Sequence, residues 1–512
     1  MTLPRLYNTL TRRTEELVLR EPGHARIYCC GPTVYDVPHA GHGRAYVAAD
    51  VLVRQLLSKG IKVSYARNVT DIDDKILERA RKNGETPLEL STRMTAVFQE
   101  QMRTIGCLDP EVEPKVSDHL PQIFELIDKL LLRESAYVVE MPGGTRDVYF
   151  AVRSFPGYGK LSRRKIDELL VGARVEAGES KRDPVDFALW KGAPADEWGW
   201  ESPWGHGRPG WHIECSAMST HCLGFGFDVH CGGMDLIFPH HENEIAQSEA
   251  AEPEAGPMAA FWVHNGFVNV DAEKMSKSLG NFMTVSDVLA RNDAEGFRWF
   301  LLGVHYRGPI QFDTETRDGR VVFPGVDEAE RRVDYLYATV RRLRELFEPG
   351  QTVPLKLPPE LSTQQTAVEQ ALAQGEAGLD DDLNSPIALA ALGELAKIGN
   401  ELCDLALKRK KDATFVVAAS ATAGAVLTAI KRLTKTLGLM QAPAADYATR
   451  TRDRRLRLRG LGVEAIERSV EERNQARRDK NFARADAIRA ELAASGITLR
   501  DAATATEWTI EQ

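Results

Sequence analysis

The sequence has 512 residues, of which 43% are hydrophobic and 27% charged, proportions that exclude a disordered, collagen-like or coiled-coil chain and indicate about three to five folded domains. The formal charge of −9 disfavours a purely electrostatic nucleic-acid binder, although residues 450–512 carry 14 basic against 11 acidic side chains and form a mildly basic tail. The seven cysteines argue against a disulfide framework, and no uninterrupted apolar run approaches the ~20 residues of a membrane span, so we expect a cytoplasmic protein with no membrane partner.

Short strands are predicted at residues 26–30 and 61–67, on either side of a helix at 43–58 whose apolar residues recur at helical spacing. This strand–helix–strand order is typical of a parallel, doubly wound sheet. Further helical patterns follow at about 72–83, 87–105 and 119–133. The N-terminal part of the chain is therefore predicted to belong to the α/β class.

The composition changes in the middle of the chain. Residues 138–210 contain β-favouring runs, many glycines and prolines, and four of the tryptophans, which predicts an inserted subdomain before the sheet pattern resumes near Trp211. Helical periodicity from about 327 to 440, broken by a proline-rich loop at 349–359, predicts a helical bundle. The arginine-rich stretch 441–460 predicts a linker to a small terminal domain of helices and a β-hairpin.

The first chemically distinctive motif is His39-Ala40-Gly41-His42, between a predicted strand end and a predicted helix start. Such a turn directs backbone N–H groups and the positive end of the helix dipole to one point, which suits a phosphate. The two imidazoles add donors, and Gly41 leaves room for a bulky anion. Taken alone, the motif is explained equally well by histidines that cap a turn.

The second motif is the cationic loop Lys274-Met275-Ser276-Lys277-Ser278, far along the chain. Its lysines are suited to neutralising charge that accumulates on a leaving pyrophosphate. A surface loop with two lysines is also common. The two motifs together are much more specific than either alone.

An HxGH motif followed by KMSKS resembles the class I aminoacyl-tRNA synthetases, and the chain is further similar to the cysteinyl-tRNA synthetase family. The stretches that carry the resemblance, besides KMSKS, are Tyr28–Asp36, Asn68–Lys75, Gly210–Met218 and Phe238–Gln247. The resemblance extends to the end of the chain. It implies a ligase that activates L-cysteine with ATP·Mg²⁺ to cysteinyl-adenylate and pyrophosphate, and transfers cysteine to the 3′-terminal adenosine of tRNA(Cys).

A metal site is predicted from Cys30 at a strand end, Cys215, and the pair His240 and Glu244, whose spacing of four places them on one helix face. Pro239 suits the first position of that helix. Two thiolates, an imidazole and a carboxylate form a tetrahedral Zn²⁺ set, but buried free cysteines are common, and Cys29 and His241 are rivals to their neighbours. The resemblance favours one Zn²⁺ per chain on the four residues first named.

The resemblance also implies the remaining site residues. The predicted catalytic side chains are His39, His42, Lys274 and Lys277. The predicted ATP-binding set comprises His39, Gly41, His42, Lys274, Met275, Ser276, Lys277 and Ser278. Thr70 and Asp235 are expected near the amino group of the substrate, and Trp211 in the cysteine pocket or, alternatively, in simple core packing. Because the metal itself selects a thiolate, no editing domain is expected.

The sequence departs from the family pattern at three sites, Ala40, Cys231 and Cys29. Ala40 stands where isoleucine is usual, which alters packing beneath the turn and leaves both imidazoles intact. Cys231 stands where glycine is usual, which places an extra thiol near the predicted metal, as a spectator, a weak alternative ligand or an oxidation point. Cys29 and Cys30 should point to opposite faces of their strand, so that one of the two reaches the metal.

The resemblance predicts an α/β fold with a Rossmann-like catalytic domain, an inserted connective subdomain, a helical bundle and a small mixed C-terminal domain, in a monomer. The predicted divisions are the two Rossmann halves 1–125 and 206–265, the connective insertion 126–205, the KMSKS and stem-contact region 266–326, the anticodon-side bundle 327–445, which includes the motif Asp380–Pro386, and the linker with the anticodon-binding domain 446–512.

Three other functions are compatible with parts of the sequence. A ligase that transfers cysteine to an amino sugar would not need residues 327–512. An RNA-binding protein on a catalytically retired synthetase scaffold would not need the complete HxGH and KMSKS motifs. A small-molecule nucleotidyltransferase would leave the four predicted metal ligands unexplained.

Overall fold

The computed structural model describes residues 2–141, 144–166, 181–270, 273–274, 283–317, 319–349, 357–501 and 506–510, with Glu273 and Lys274 described by their backbone alone. Met275, Ser276, Lys277 and Ser278, which the sequence predicts to bind ATP, lie outside the described residues, as does the side chain of Lys274.

The N-terminal part alternates strands and helices as predicted. Its elements are β1 (Arg5–Asn8), β2 (Arg13–Glu16), β3 (His24–Cys29), α1 (Ala40–Ser58), β4 (Lys62–Arg67), α2 (Asp74–Asn83), α3 (Pro87–Thr104) and α4 (Leu120–Leu132). Helix α1 begins three residues before the predicted start because His39 is its N-cap. Helix α3 begins where Thr86 and Glu89 form a capping box ahead of Pro87.

The inserted segment is an antiparallel sheet. Its strands, in sheet order, are β5 (Ala136–Glu140), β6 (Arg146–Phe150), β7 (Phe187–Gly192) and β8 (Gly207–Pro209). Two of its tryptophans, Trp190 and Trp204, are buried. Both pack edge-on against Phe124 of α4, at ring-centroid distances of 5.3 and 5.9 Å, so the insertion shares an apolar core with the helix that precedes it.

The α/β pattern then resumes with α5 (Trp211–Leu223), β9 (Phe227–Gly233), α6 (Glu242–Ala251) and β10 (Ala259–Asn265). These strands complete a parallel sheet of order β10-β9-β3-β4. In its register, Cys29 at the end of β3 is level with Cys231 on one side and Arg67 on the other. The carboxyl ends of these strands form one edge, where ligand sites of open α/β sheets are found.

A smaller group of elements follows the sheet: β11 (Val268–Val270), β12 (Glu273–Lys274), α7 (Val285–Arg291), α8 (Ala294–Leu302), β13 (Ile310–Phe312), β14 (Glu315–Arg317) and β15 (Arg320–Val322). Strand β11 pairs antiparallel with β12 and parallel with β13. The backbone of Lys274 is therefore fixed beside Asn269, at the start of the KMSKS loop.

The predicted bundle consists of α9 (Pro324–Leu346), α10 (Pro359–Asp380), α11 (Ser385–Lys408) and α12 (Ala413–Leu437). Helix α12 is long and apolar enough to span a membrane by length and composition, and 56% of its most apolar window is buried inside the protein. It packs against the other three helices of the bundle, as a core helix does.

The C-terminal part contains α13 (Ala444–Arg459), α14 (Val463–Arg478), α15 (Phe482–Ala494), β16 (Ile497–Asp501) and β17 (Thr506–Ile510), the last two paired as an antiparallel hairpin. The arginine-rich stretch expected as a linker is thus mostly the regular helix α13. Its Arg454 and Arg455 are buried and form ion pairs with Glu330 of α9, which anchors this helix to the bundle.

Candidate active site

The site lies at the carboxyl edge of the parallel sheet, where β3 continues into Cys30 and then into the turn that starts α1. The backbone N–H of Gly31 donates to Oδ1 of Asn68 at 2.7 Å, which joins the ends of β3 and β4. A Cβ atom at Gly31 would overlap the carbonyl oxygen of Asn68, so this close approach requires glycine.

The HAGH motif forms the N-terminus of α1. The backbone N–H of Gly41 donates to Nδ1 of His39 at 3.1 Å, and the backbone N–H of His39 donates to Nδ1 of His42 at 3.2 Å. Because both Nδ1 atoms accept, Nε2 carries the proton of each neutral ring. The rings stack at 3.8 Å, and Ala40 is fully buried beneath the turn. Two parallel donors thus stand at a helix N-terminus.

The chain returns from the KMSKS loop directly to this turn. The backbone N–H of Ala40 donates to the carbonyl oxygen of Met283 at 2.9 Å, and that of Val285 donates to the carbonyl oxygen of Pro38 at 2.9 Å. Met283 and Val285, the described residues that follow the loop, are therefore fixed against the HAGH turn.

A cluster of metal-ligating side chains lies beside the motif. One ligand atom from each of Cys30, Cys215, His240 and Glu244 lies within 4.8 Å of the others, and all four residues are buried. The thiol sulfurs are 3.8 Å apart, and Nε2 of His240 is 2.9 Å from Oε1 of Glu244. The structure therefore brings together the four residues that the sequence predicts as ligands, a cluster that could hold a metal ion and is compatible with zinc.

The charges in this cluster depend on one another. A hydrogen bond from Cys30 lowers the pKa of the Cys215 thiol to about 6, whereas burial raises the pKa of Cys30 well above its usual value. Burial alone would lower the pKa of His240, but the Glu244 carboxylate raises it to about 10. The opposite directions of the two cysteine pKa shifts mean that Cys215 gives up its proton more readily than Cys30.

Three histidines that the sequence analysis did not select surround the cluster. Nε2 of His230 is 2.9 Å from Oε2 of Glu244, and Nδ1 of His212 is 3.0 Å from Nδ1 of His240. His264 Nε2 is 2.8 Å from Nδ1 of His241, the rival candidate ligand. A second set of four, Cys30, His230, His241 and Glu244, meets the same distance criterion. Two of these histidines lie in strands, His230 at the centre of β9 and His264 next to the last residue of β10.

Cys29 and Cys231 lie away from the cluster. Both are buried in the apolar core that contains α1, and they are level with each other on adjacent strands. Alternation along β3 turns Cys30 into the cluster and Cys29 away from it, as expected. The same alternation along β9 directs His230 toward Glu244 and Cys231 to the opposite face, so the expectation of a thiol near the metal at Cys231 is wrong.

The segment that carries two of the candidate ligands begins where the sequence predicts. Within Ile237–His241 only Phe238 has non-helical dihedral angles (φ −142°, ψ 131°), and helical backbone follows from Pro239 into α6, which begins at Glu242. His240 and Glu244 lie four residues apart on this helical backbone, and Nε2 of His240 is 2.9 Å from Oε1 of Glu244.

The predicted substrate residues lie at the same edge of the sheet. Trp211 begins α5, is 40% exposed, and stacks on His240 with ring centroids 4.4 Å apart, which excludes simple core packing. The Thr70 hydroxyl is buried and donates to Oε2 of Glu214 at 3.2 Å. Asp235 is exposed in the turn after β9.

Comparison with known proteins identifies the family. Residues 16–318 match the model for the class I (C) catalytic domain of tRNA synthetases, residues 376–441 match the DALR domain, and residues 459–508 match the cysteinyl-tRNA ligase anticodon binding domain. The solved structure of Mycobacterium tuberculosis methionyl-tRNA synthetase in complex with methionyl-adenylate superposes with a TM-score of 0.62 at 16% identity, over 86% of this chain and 94% of that one. The fold is therefore that of a class I aminoacyl-tRNA synthetase.

Full-length relatives are more specific. The cysteine--tRNA ligase of Anaeromyxobacter dehalogenans (strain 2CP-1 / ATCC BAA-258) is 47% identical over 509 residues, which are 99% of each chain. That of Oleidesulfovibrio alaskensis (strain ATCC BAA-1058 / DSM 17464 / G20) is 43% identical over 509 residues, again 99% of each. The chain belongs to the cysteine--tRNA ligase family. It charges tRNA with cysteine, with an amino acid, ATP and tRNA as substrates, and the resemblance drawn from the sequence is confirmed.

Proposed function

We propose that charging begins with activation of L-cysteine by ATP at the edge of the sheet that carries the HAGH turn and the Cys30, Cys215, His240 and Glu244 cluster, with Zn²⁺ as the resident metal. The observation that carries the proposal is the convergence of these four buried ligand atoms beside a helix N-terminus prepared for phosphate. The product of this step is cysteinyl-adenylate, and pyrophosphate leaves.

The donor set fits one zinc ion. Two sulfurs, one imidazole nitrogen and one carboxylate oxygen are a usual tetrahedral set for Zn²⁺. Four such buried groups, with neighbouring ligand atoms 2.9–3.8 Å apart, need a cation to compensate their charge when the thiols are deprotonated. Binding would displace the protons held by Cys30 and His240. His230 and His212 support the set by fixing the orientation of Glu244 and His240.

Recognition of cysteine follows from the same set. When bound, zinc supplies a soft Lewis acid that a thiolate ligates and a serine hydroxyl, which stays protonated, does not. Trp211, stacked on His240, supplies an apolar wall for the substrate side chain. Thr70 and Asp235 are the residues proposed for the substrate amino group.

The nucleotide is proposed to lie across the HAGH turn. The Nε2 donors of His39 and His42 and the N-terminus of α1 face the phosphates, which carry Mg²⁺. Lys274 and Lys277 are proposed to neutralise the departing pyrophosphate. The substrate carboxylate is itself the nucleophile, so these groups position reactants and stabilise charge and form no covalent bond.

The acceptor is proposed to be the 3′-terminal adenosine of tRNA(Cys). The parts of the chain are proposed to act as the sequence divides them: catalysis by 1–125 and 206–265, connection by 126–205, stem contact by 266–326, and anticodon-side contacts by 327–445 and 446–512. The match of residues 459–508 to an anticodon-binding family supports the last assignment. The enzyme is proposed to act as a monomer in the cytoplasm.

ATP–pyrophosphate exchange with cysteine and with serine tests the proposal, on metal-replete and chelator-treated protein with zinc quantified by elemental analysis. We expect exchange with cysteine alone, in proportion to one bound zinc per chain. Exchange with cysteine that is independent of zinc would remove the metal from recognition. The absence of exchange in protein that contains zinc would remove the proposed activation step.

A further inference from the structure

The acidic motif Asp380-Asp381-Asp382, between α10 and α11, joins the bundle to the catalytic half. The Asp380 carboxylate accepts hydrogen bonds from Gln55 at 2.6 Å and from Lys59 at 2.5 Å, both at the C-terminal end of α1. Asp381 reaches Arg5 of β1 at 3.5 Å, and both side chains of that pair are largely exposed. A helix-start signal would account for acidic residues here but not for these contacts with a different part of the fold.

Asp382 makes the most extensive of these contacts. Its Oδ1 accepts from the backbone N–H of Tyr7 and from the hydroxyl of Tyr306, each at 2.8 Å. Its Oδ2 accepts from Arg307 at 2.7 Å and lies 3.6 Å from Nε2 of His305. The residue is 4% exposed, so a single buried carboxylate joins β1, the loop after α8, and the bundle.

The backbone at this point is held in an unfavourable conformation. Asp382 and Leu383 have φ values of +58° and +51°, in the left-handed region that costs non-glycine residues free energy. Two consecutive residues of this kind persist where surrounding contacts determine them, and such strain concentrates at positions with a functional role.

The loop that is bound to Asp382, residues 305–308, is also hydrogen-bonded to the N-terminal part of α1, the helix that carries the HAGH motif. The guanidinium of Arg44, two residues after His42, donates to the carbonyl oxygens of Val304, His305 and Gly308 at 3.1, 2.6 and 3.3 Å. A continuous set of hydrogen bonds therefore runs from the bundle through Asp382 and loop 305–308 to the HAGH end of α1. With Asp380 at the other end, the motif fixes both ends of this helix.

We propose that Asp382 is a positioning residue that fixes the orientation of the bundle relative to the HAGH site, so that tRNA contacts on the C-terminal side place the acceptor end correctly. This inference rests on the proposed function, in which one tRNA spans both parts. Activation of cysteine involves no tRNA and does not depend on the orientation. Charging of full-length tRNA does depend on the orientation of the bundle, because one tRNA spans both parts.

The test compares Asp382→Asn with Asp381→Asn, a matched control that removes a neighbouring charge with one exposed 3.5 Å ion pair. Three reactions are measured: ATP–pyrophosphate exchange with cysteine, charging of full-length tRNA, and charging of a minihelix that contains only the acceptor stem. For Asp382→Asn we expect at least a tenfold fall in kcat/KM with full-length tRNA, while exchange and minihelix charging stay within twofold. Asp381→Asn should resemble the unmodified protein in all three.

Equal losses in all three reactions would assign Asp382 a purely structural role and overturn the proposal, as would full charging activity. If Asp382→Asn does not fold, Tyr306→Phe removes one hydrogen bond to the same carboxylate, and it should lower full-length charging selectively by a smaller factor. A failure of the proposed function is separate, because it would appear as absent cysteine exchange in the unmodified protein.

Discussion

Glu244 is the residue on which the candidate metal site is centred. It receives His230 on one oxygen and His240 on the other, each at 2.9 Å. Burial alone would raise the pKa of this carboxyl group, but the two imidazoles lower it well below its usual value. Glu244 therefore remains an anion in the interior, which is the state that a metal ligand requires.

At this scale the neighbouring cysteines provide a matched pair. Cys30→Ser should weaken zinc binding by at least about 100-fold, because it removes a direct metal ligand. Loss of a residue that only hydrogen-bonds to a ligand typically weakens binding by about 10–100-fold, and loss of the ligand itself should cost at least as much. Cys29→Ser, on the opposite face of the same strand, should leave the affinity within about threefold. Competition with a chromophoric chelator measures both. Equal losses would mean that the thiols contribute to the fold and not to metal binding.

The candidate ligands could be predicted from the sequence, whereas their orientation required the structure. Spacing and residue type left Cys29 and His241 as rivals, and the family resemblance selected the set Cys30, Cys215, His240 and Glu244. The face of the sheet on which Cys231 lies could not be predicted in this way. Alternation along β9 shows that neighbouring residues point to opposite faces, but which face is next to the cluster depends on the register with β3. His230 escaped notice for the same reason, since a histidine in an apolar strand is distinguished by the face it occupies.

At the scale of elements, α1 connects the nucleotide site to the bundle. Asp50 on this helix forms an ion pair with Arg298 of α8, which is fully buried and donates to the carbonyl oxygen of Leu437 at 2.7 Å. Arg298 also donates to the carbonyl oxygen of Ile105 at 3.2 Å. One guanidinium on α8 thus joins α1, the C-terminal end of α3 and the last turn of α12.

Gly438, the C-cap of α12, is the position where this junction is least tolerant. Its φ is +65°, and a Cβ atom would overlap the Arg298 guanidinium. Gly438→Ala should lower the free energy of unfolding by about 3 kcal/mol, from left-handed strain and overpacking together. Gly460 also has a positive φ, +67°, but no atom lies within 4 Å of the position that its Cβ would take. Gly460→Ala should therefore lower the free energy of unfolding by only about 1 kcal/mol. Chemical denaturation compares them, and equal costs would show that Arg298 moves aside freely.

Secondary structure was predictable to the extent that local signals decided it. Capping and periodicity placed α1 and α3 within a few residues. The stretch expected as a linker is the helix α13, whose Arg454 and Arg455 pair with Glu330 of α9, more than a hundred residues earlier. Because the partner is so distant in sequence, no local signal predicts this pairing. Pro239 follows the extended residue Phe238 and opens the helical backbone that leads into α6, so this local signal was sufficient to place His240 and Glu244 on one helical segment.

At the scale of the whole molecule, charge is distributed unevenly. A groove of about 1090 Å³ between α9, α13 and β17 is lined by several arginines and by Trp508. The guanidinium of Arg452 lies 5.9 Å from the Trp508 ring. Within the part of the chain that the structure describes, Arg341 and Arg344 have no acidic partner. Cations beside an aromatic ring are suited to a nucleic-acid backbone and an unstacked base.

Charging should therefore depend on salt through these two arginines. The double variant Arg341→Ala and Arg344→Ala should raise the tRNA dissociation constant and reduce the slope of log affinity against log salt by ~2, because each phosphate contact contributes about one unit. Arg332→Ala is the control, since Arg332 is already paired with Glu328 at 3.3 Å. Filter binding at several salt concentrations measures the slopes. An unchanged slope would exclude the groove as a phosphate contact.

The ligand cluster also has a consequence for biosynthesis. Cys30 and Glu244 are separated by 214 positions, which a ribosome adding ~5–20 residues per second needs roughly 10–40 s to translate. Throughout that interval the vicinal thiols Cys29 and Cys30 belong to an unfinished chain whose later ligands do not yet exist. The complete set of four ligands therefore cannot form before residue 244 of the 512 has been translated, and a chain interrupted earlier lacks the site proposed for the metal.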